Sequence, residues 1–134
     1  AKIYPKAAAA YEAFINHYWT LPQPNDLLAF EQLPMLDEIR LRLVSCRIKM
    51  RDYKKAEEQL AKIKEELLSA ASIEEIRWAR AAILEGKGDT AGALAGIEKI
   101  KSFTTETAGW ATQLYVKAGK TPEAIEFIDR YLEN

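Results

Sequence analysis

A chain of 134 residues, 49% apolar and 29% charged, holds enough material for one globular domain with its own core. Its net charge of −1 gives no overall basic field for a nucleic-acid backbone, and no apolar run approaches the roughly 18 residues of a membrane span. A single cysteine, Cys46, excludes an internal disulfide and a thiolate-rich metal site, and suits the cytoplasm and the periplasm equally.

Residues 2–19 predict a helix, with Pro5 in the first turn and Ala7, Tyr11, Phe14 and Tyr18 at helical spacing. So apolar a stripe, this early in the sequence, predicts a covering partner or preceding sequence. Tyr11 and Phe14 are the candidate self-association edge. Residues 20–35 read as a proline-containing insertion. In it Asn25 caps a short helix over 26–33, and Pro34 opens a long helix to Met50.

That long helix carries two apolar stripes, Leu36/Ile39/Leu43/Cys46/Met50 and Leu41/Val44/Ile48, as expected between two neighbours. After the turn Met50-Arg51-Asp52, a helix over 53–70 places Tyr53, Ala56, Leu60, Ile63 and Leu67 on one stripe. A third helix opens on a capping box, Ser72-Ile73-Glu74-Glu75, and stops at Gly86-Lys87-Gly88. Its core stripe is Ile73, Ile76, Ile83 and Leu84, with Trp78 nearly opposite. Asp89 starts a fourth helix, with Leu94, Ile97 and Ile100 inward and Phe103 near its end. Thr104 or Thr105 caps a fifth, ending at Gly119, in which Trp110 shares a stripe with Ala111, Leu114 and Ala118. Thr121 caps the last, with Pro122 at its first position and Ala124, Ile128 and Tyr131 buried. No segment alternates with period two, so the predicted class is all-α.

The second helices share a register. A small residue is followed by apolar residues at +4 and +7 in Ala56/Leu60/Ile63, Ala93/Ile97/Ile100 and Ala124/Ile128/Tyr131, and also in Ala7/Tyr11/Phe14. The three later alanines lie 37 and 31 residues apart, a mean of 34. With the turns Arg51-Asp52-Tyr53, Gly88-Asp89-Thr90 and Gly119-Lys120-Thr121, this period resembles the tetratricopeptide repeat (TPR). The resemblance covers hairpins at 37–70, 72–103 and 104–134, plus a half-repeat before residue 19. It implies a single TPR-like domain over 1–134, a right-handed helical-hairpin solenoid of about three repeats plus an N-terminal half-repeat. The first helices depart from the pattern: Val44, Ala81 and Thr112 hold the usually small position, and Arg40, Arg77 and Ala108 the usually aromatic one. Related helical-hairpin arrays stay open.

Such arrays leave a concave surface that the first helices line and that holds a peptide or a helix of a partner. The groove candidates are Leu41, Arg42, Ser45, Lys49, Trp78, Ala82 and Gln113. The family's chaperone-tail clamp uses Lys, Asn and Arg; Leu41, Ser45 and Trp78 stand there instead, so that function is not carried over. Catalysis is not expected. His17 has no acid or nucleophile at a motif spacing, and Cys46 lies on an apolar stripe. Neither Gly86-Lys87-Gly88 nor Gly119-Lys120-Thr121 has the spacing or the preceding strand of a phosphate loop. No cofactor or metal spacing is present.

The expected partner is therefore a protein or peptide, the alternative being homo-oligomeric assembly through exposed end helices. A basic cluster of Arg40, Arg42, Arg47, Lys49, Arg51, Lys54 and Lys55 reads either as a solvated helix surface or as a local patch for an acidic peptide or a phosphate backbone; nucleic acid is a lesser alternative, because it calls for more basic charge and exposed aromatics.

Overall fold

Helix-forming periodicity, caps and left-handed turn residues organise the chain. In the computed structural model the described residues are 3–20 and 26–133, the side chains of 18–34 and 67 lying outside that description. Among the described residues seven α-helices run in order: α1 (Ile3–Thr20), α2 (Asp26–Lys49), α3 (Tyr53–Leu60), α4 (Ala70–Gly86), α5 (Thr90–Glu98), α6 (Thr105–Lys117) and α7 (Thr121–Glu133). A single 3-10 turn, Glu65–Leu67, lies between α3 and α4. The described residues contain no strand, and the chain is all-α.

Three turns are built alike. Arg51, Gly88 and Gly119 each take a left-handed conformation, with φ of 62°, 93° and 75°. In each, the next N–H reaches back five residues: Asp52 to the Arg47 carbonyl, Asp89 to Leu84, and Lys120 to Tyr115. These are the bonds that close a Schellman C-cap. Asp52 and Asp89 then cap α3 and α5 by accepting from the Lys55 and Gly92 N–H groups. Five residues beyond each left-handed position sits Ala56, Ala93 or Ala124, all buried. Glycine adopts this conformation freely; a residue with a Cβ loses roughly 1–2 kcal/mol there. Arg51 is the exception among the three.

The turns fold the chain into hairpins, α2 on α3, α4 on α5 and α6 on α7, with α1 laid along α2. α2 also packs on α4. Close approach within the second hairpin depends on small residues: a Cβ built at Gly96 would stand 3.0 Å from that of Ala81. Three clusters make the core. One joins Ala8 and Ile15 to Leu36, Leu43 and Cys46; one joins Val44, Ile48 and Ala56 to Trp78, Ala82 and Ile83; one joins Ala93 and Ile97 to Ala111, Leu114 and Phe127.

The structure corrects several sequence expectations. α2 is one helix from Asp26, with Pro34 inside it, so residues 26–33 are not a separate element. α3 stops at Leu60 rather than near 70. Beyond it, the Lys64 N–H donates to Asp37 Oδ2 at 3.1 Å instead of to a carbonyl one turn back. The side chain of Leu67 lies outside the described residues, as does that of Tyr18. The cap of α4 is Ser69, not Ser72. Ser72 is buried and donates its hydroxyl to the Glu38 carboxylate of α2, at 2.7 and 2.8 Å. α5 ends at Glu98, leaving Phe103 in the connection, where its ring meets Phe127 edge-on at 4.9 Å. The capping box sits instead at Thr104 and Thr107. On α7 the buried positions are Ala124 and Phe127, while Ile128 faces outward.

Candidate functional site

α2, α4 and the start of α6 present a shared face, and two adjoining clefts run along it. The first, about 470 Å³, is lined by Arg42, Ser45, Cys46 and Lys49 of α2, by Glu74, Glu75 and Trp78 of α4, and by Thr104, Glu106 and Thr107 at the start of α6. Tyr11 of α1 closes one side. The second, about 330 Å³, is lined by Ile48, Arg51 and Tyr53, by Ala82 and Glu85, and by Trp110, Gln113, Leu114 and Lys117. Lys49, Trp78 and Glu106 line both. The Lys49 ammonium lies 3.1 Å from a Glu106 carboxylate oxygen and 5.1 Å from the Tyr4 ring centre. This ion pair reaches from α2 to α6 and marks the boundary between the clefts.

Charge on the rim is largely matched within the chain. Arg42 donates to Glu75 at 3.1 Å, and Lys117 to Glu85 at 3.3 Å. Glu74 pairs with Arg77 and also accepts the Lys101 and Ser102 N–H groups at 2.8 and 3.3 Å. Burial pushes the Glu75 carboxyl above its ordinary range, with Arg42 opposing. Burial works against the Lys49 charge, but the hydrogen bond and carboxylate of Glu106 outweigh it and hold that ammonium above its ordinary range. Burial also raises the Cys46 thiol, against the pull of Lys49 and Arg47.

Trp78 is the centre of the floor. Its side chain is packed rather than displayed, with 8% of its surface exposed. The indole sits among Val44 and Ile48 of α2 and meets the Trp110 ring edge-on, centroids 6.4 Å apart and planes at 79°. The helix wheel places Trp78 opposite its own core stripe correctly, but α4 has neighbours on both sides. The sequence allows two readings of Trp78, packing on a neighbouring first helix at Leu41 or Ile48 or exposure as an aromatic anchor in the groove, and the buried ring against Ile48 agrees with the first. Its Nε1–H is buried and has no acceptor among the described residues. A donor left in that state costs roughly 1–3 kcal/mol.

The other candidates divide. Arg42, Ser45, Lys49 and Gln113 line the clefts. Leu41 does not: it is 0% exposed and belongs to the core. Ala82 is buried and contributes only a patch of wall. Tyr11 is partly buried on the α1–α2 cluster, while Phe14 keeps more than a third of its surface exposed. Sequence reasoning missed Glu106 and Thr107, and it held Arg51 only as a member of the basic cluster, not as a residue of the groove.

The basic cluster is dispersed. Arg40 is buried on Asp37, Arg42 pairs with Glu75, Arg47 with Glu12 and Asp52, and Lys49 with Glu106. No helix among the described residues is long and apolar enough to cross a membrane. Comparison of the chain with protein-family models, with curated proteins and with solved structures finds no match.

Proposed function

We propose that this chain is a TPR-like, right-handed solenoid of helical hairpins, acting as an interaction scaffold that holds a peptide or a helix of a partner protein. The observation that carries the reading is the adjoining pair of clefts along α2, α4 and α6, with an apolar floor and a polar rim. The three equivalent turns, 37 and 31 residues apart, support the repeat. Selection from a random peptide library on the folded chain tests it. Binders should lose affinity at least tenfold for Ser45→Arg, whose added bulk fills the first cleft. Binders indifferent to that substitution, or none at all, refute a groove-binding role.

An assembly role is the second reading, and one observation favours it. Ile125, Ile128 and Leu132 form an exposed apolar stripe on α7, 56%, 37% and 74% exposed. Multi-angle light scattering across a hundredfold dilution separates the readings. A dimer that persists on dilution but is lost in Ile125→Glu supports assembly, whereas a monomer throughout rejects it.

A further inference from the structure

We propose that the outer side of the α6–α7 hairpin is a two-helix interface at which two copies of this chain pair about a two-fold axis, with Gly109 at the point of closest approach. This deepens the assembly reading and rests on it.

The face is wider than the α7 stripe. Thr105, Gly109, Thr112 and Val116 follow one another on α6 at steps of 4, 3 and 4, and Thr121, Ile125, Ile128 and Leu132 do the same on α7. A hydroxyl contact of 3.4 Å between Thr105 and Tyr131 sets the start of α6 beside the end of α7, so the two stripes run antiparallel along one surface. None of the eight residues is charged, and all but the half-buried Thr112 are exposed. Val116 leaves 51% of its surface open. A hairpin that ends a stack in water carries a polar outer face, and this one does not.

The second hairpin shows what covers this side. One 31-residue period before Gly109 and Ile128 stand Trp78 and Ile97, 8% and 2% exposed. Both are buried against α6, Trp78 beside the Trp110 ring and Ile97 in a cluster with Ala108 and Ala111. These are the positions on which the next hairpin stacks, and no helix among the described residues stacks on them in the third.

The face fits its own image. Ile125, Ile128 and Leu132 make a ridge along α7, and Gly109 and Thr112 leave a trough along α6, where a Cβ built at Gly109 meets nothing within 4 Å. A two-fold axis along the hairpin seats each ridge in the other copy's trough, and the uncharged stripes bring no like charges together. Glycine weakens a helix interior, and nothing inside the chain requires one at 109. A close neighbour does, as Ala81 requires Gly96 within the second hairpin.

Sedimentation equilibrium across a hundredfold dilution compares the wild-type chain with Ile125→Glu, Gly109→Gln and Val116→Glu. The expected species is a dimer that grows no further with concentration, and each substitution weakens it at least tenfold. Gly109→Gln removes a helix-weakening residue from open surface, so its monomer melts no lower than the wild type while its dimer is lost. Val116→Glu, also on open surface, checks the same face without touching the glycine. A dimer lost in Ile125→Glu but kept in either α6 variant overturns the two-helix face and leaves the assembly reading standing. Oligomers that lengthen with concentration overturn the two-fold pairing, because a head-to-tail contact does not close. A monomer at every concentration, or a dimer that survives Ile125→Glu, overturns both.

Discussion

Asp37→Ala should be among the most damaging single substitutions outside the apolar core. Asp37 is 1% exposed, and its two carboxylate oxygens serve different parts of the fold. Oδ1 accepts from Arg40 at 2.9 Å, and Oδ2 accepts the Lys64 N–H at 3.1 Å. Arg40 is itself buried, so the substitution removes a counter-charge from a guanidinium that cannot turn to water. Breaking a buried pair from one side costs about 3–5 kcal/mol, and the Lys64 amide loses its acceptor at the same time. At a urea slope of about 2 kcal/mol per molar, the midpoint should fall by about 2 M. Helical circular dichroism during urea titration reads this directly. The double variant Asp37→Leu/Arg40→Met should recover most of the loss, because an apolar pair of similar volume needs no counter-charge. The Lys64 amide should exchange with solvent faster in Asp37→Ala than in the wild type. A midpoint shift equivalent to less than about 1 kcal/mol would show that this pair does not fasten the segment after α3 to α2.

Ala93→Leu should destabilise by about 1–3 kcal/mol through overpacking, because Ala93 is wholly buried in the third core cluster; an unchanged melting temperature would contradict the shared alanine register. Trp78→Ala should lose about 3–5 kcal/mol, as its ring packs on Val44, Ile48 and Trp110, and a stability within 1 kcal/mol of the wild type would place the ring in solvent instead. The Glu75 carboxyl is raised in the fold by burial, so its ionisation costs stability that is not lost while it is protonated. Relative to Glu75→Gln, the wild type should therefore be at its best below pH 4.5, the ordinary value, and fall behind as pH climbs through the raised one; the opposite slope would make the Arg42 pair dominant. Cys46, buried and with its thiol raised, should react with iodoacetamide far more slowly at pH 8 than in the urea-unfolded chain, and equal rates would deny its burial.

Sequence alone determined the elements that depend on neighbours along the chain. Turns at 51, 88 and 119, caps at Asp52, Asp89 and Thr104, and buried alanines at 56, 93 and 124 all follow from local chemistry or a single helix period, while the left-handed conformation of Arg51 does not. Tertiary contact decided the rest. Periodicity showed that α7 is amphipathic, but packing against α6 chose Phe127 over Ile128 for the interior. The wheel put Trp78 on a second face of α4 and left packing on α2 and exposure in the groove equally open, and the contact with Ile48 decided between them. Arg40, Arg42 and Lys49 read as one basic patch until Asp37, Glu75 and Glu106 are brought to them, two of those carboxylates from other helices. The same is true of the helix expected over 53–70, which gives way where a buried carboxylate 27 residues earlier takes the Lys64 amide. A helix period fixes which side chains share a face, because 3.6 residues make a turn. It carries no information about what lies across that face, and burial, ion pairing and the emptiness of a cleft are properties of both sides.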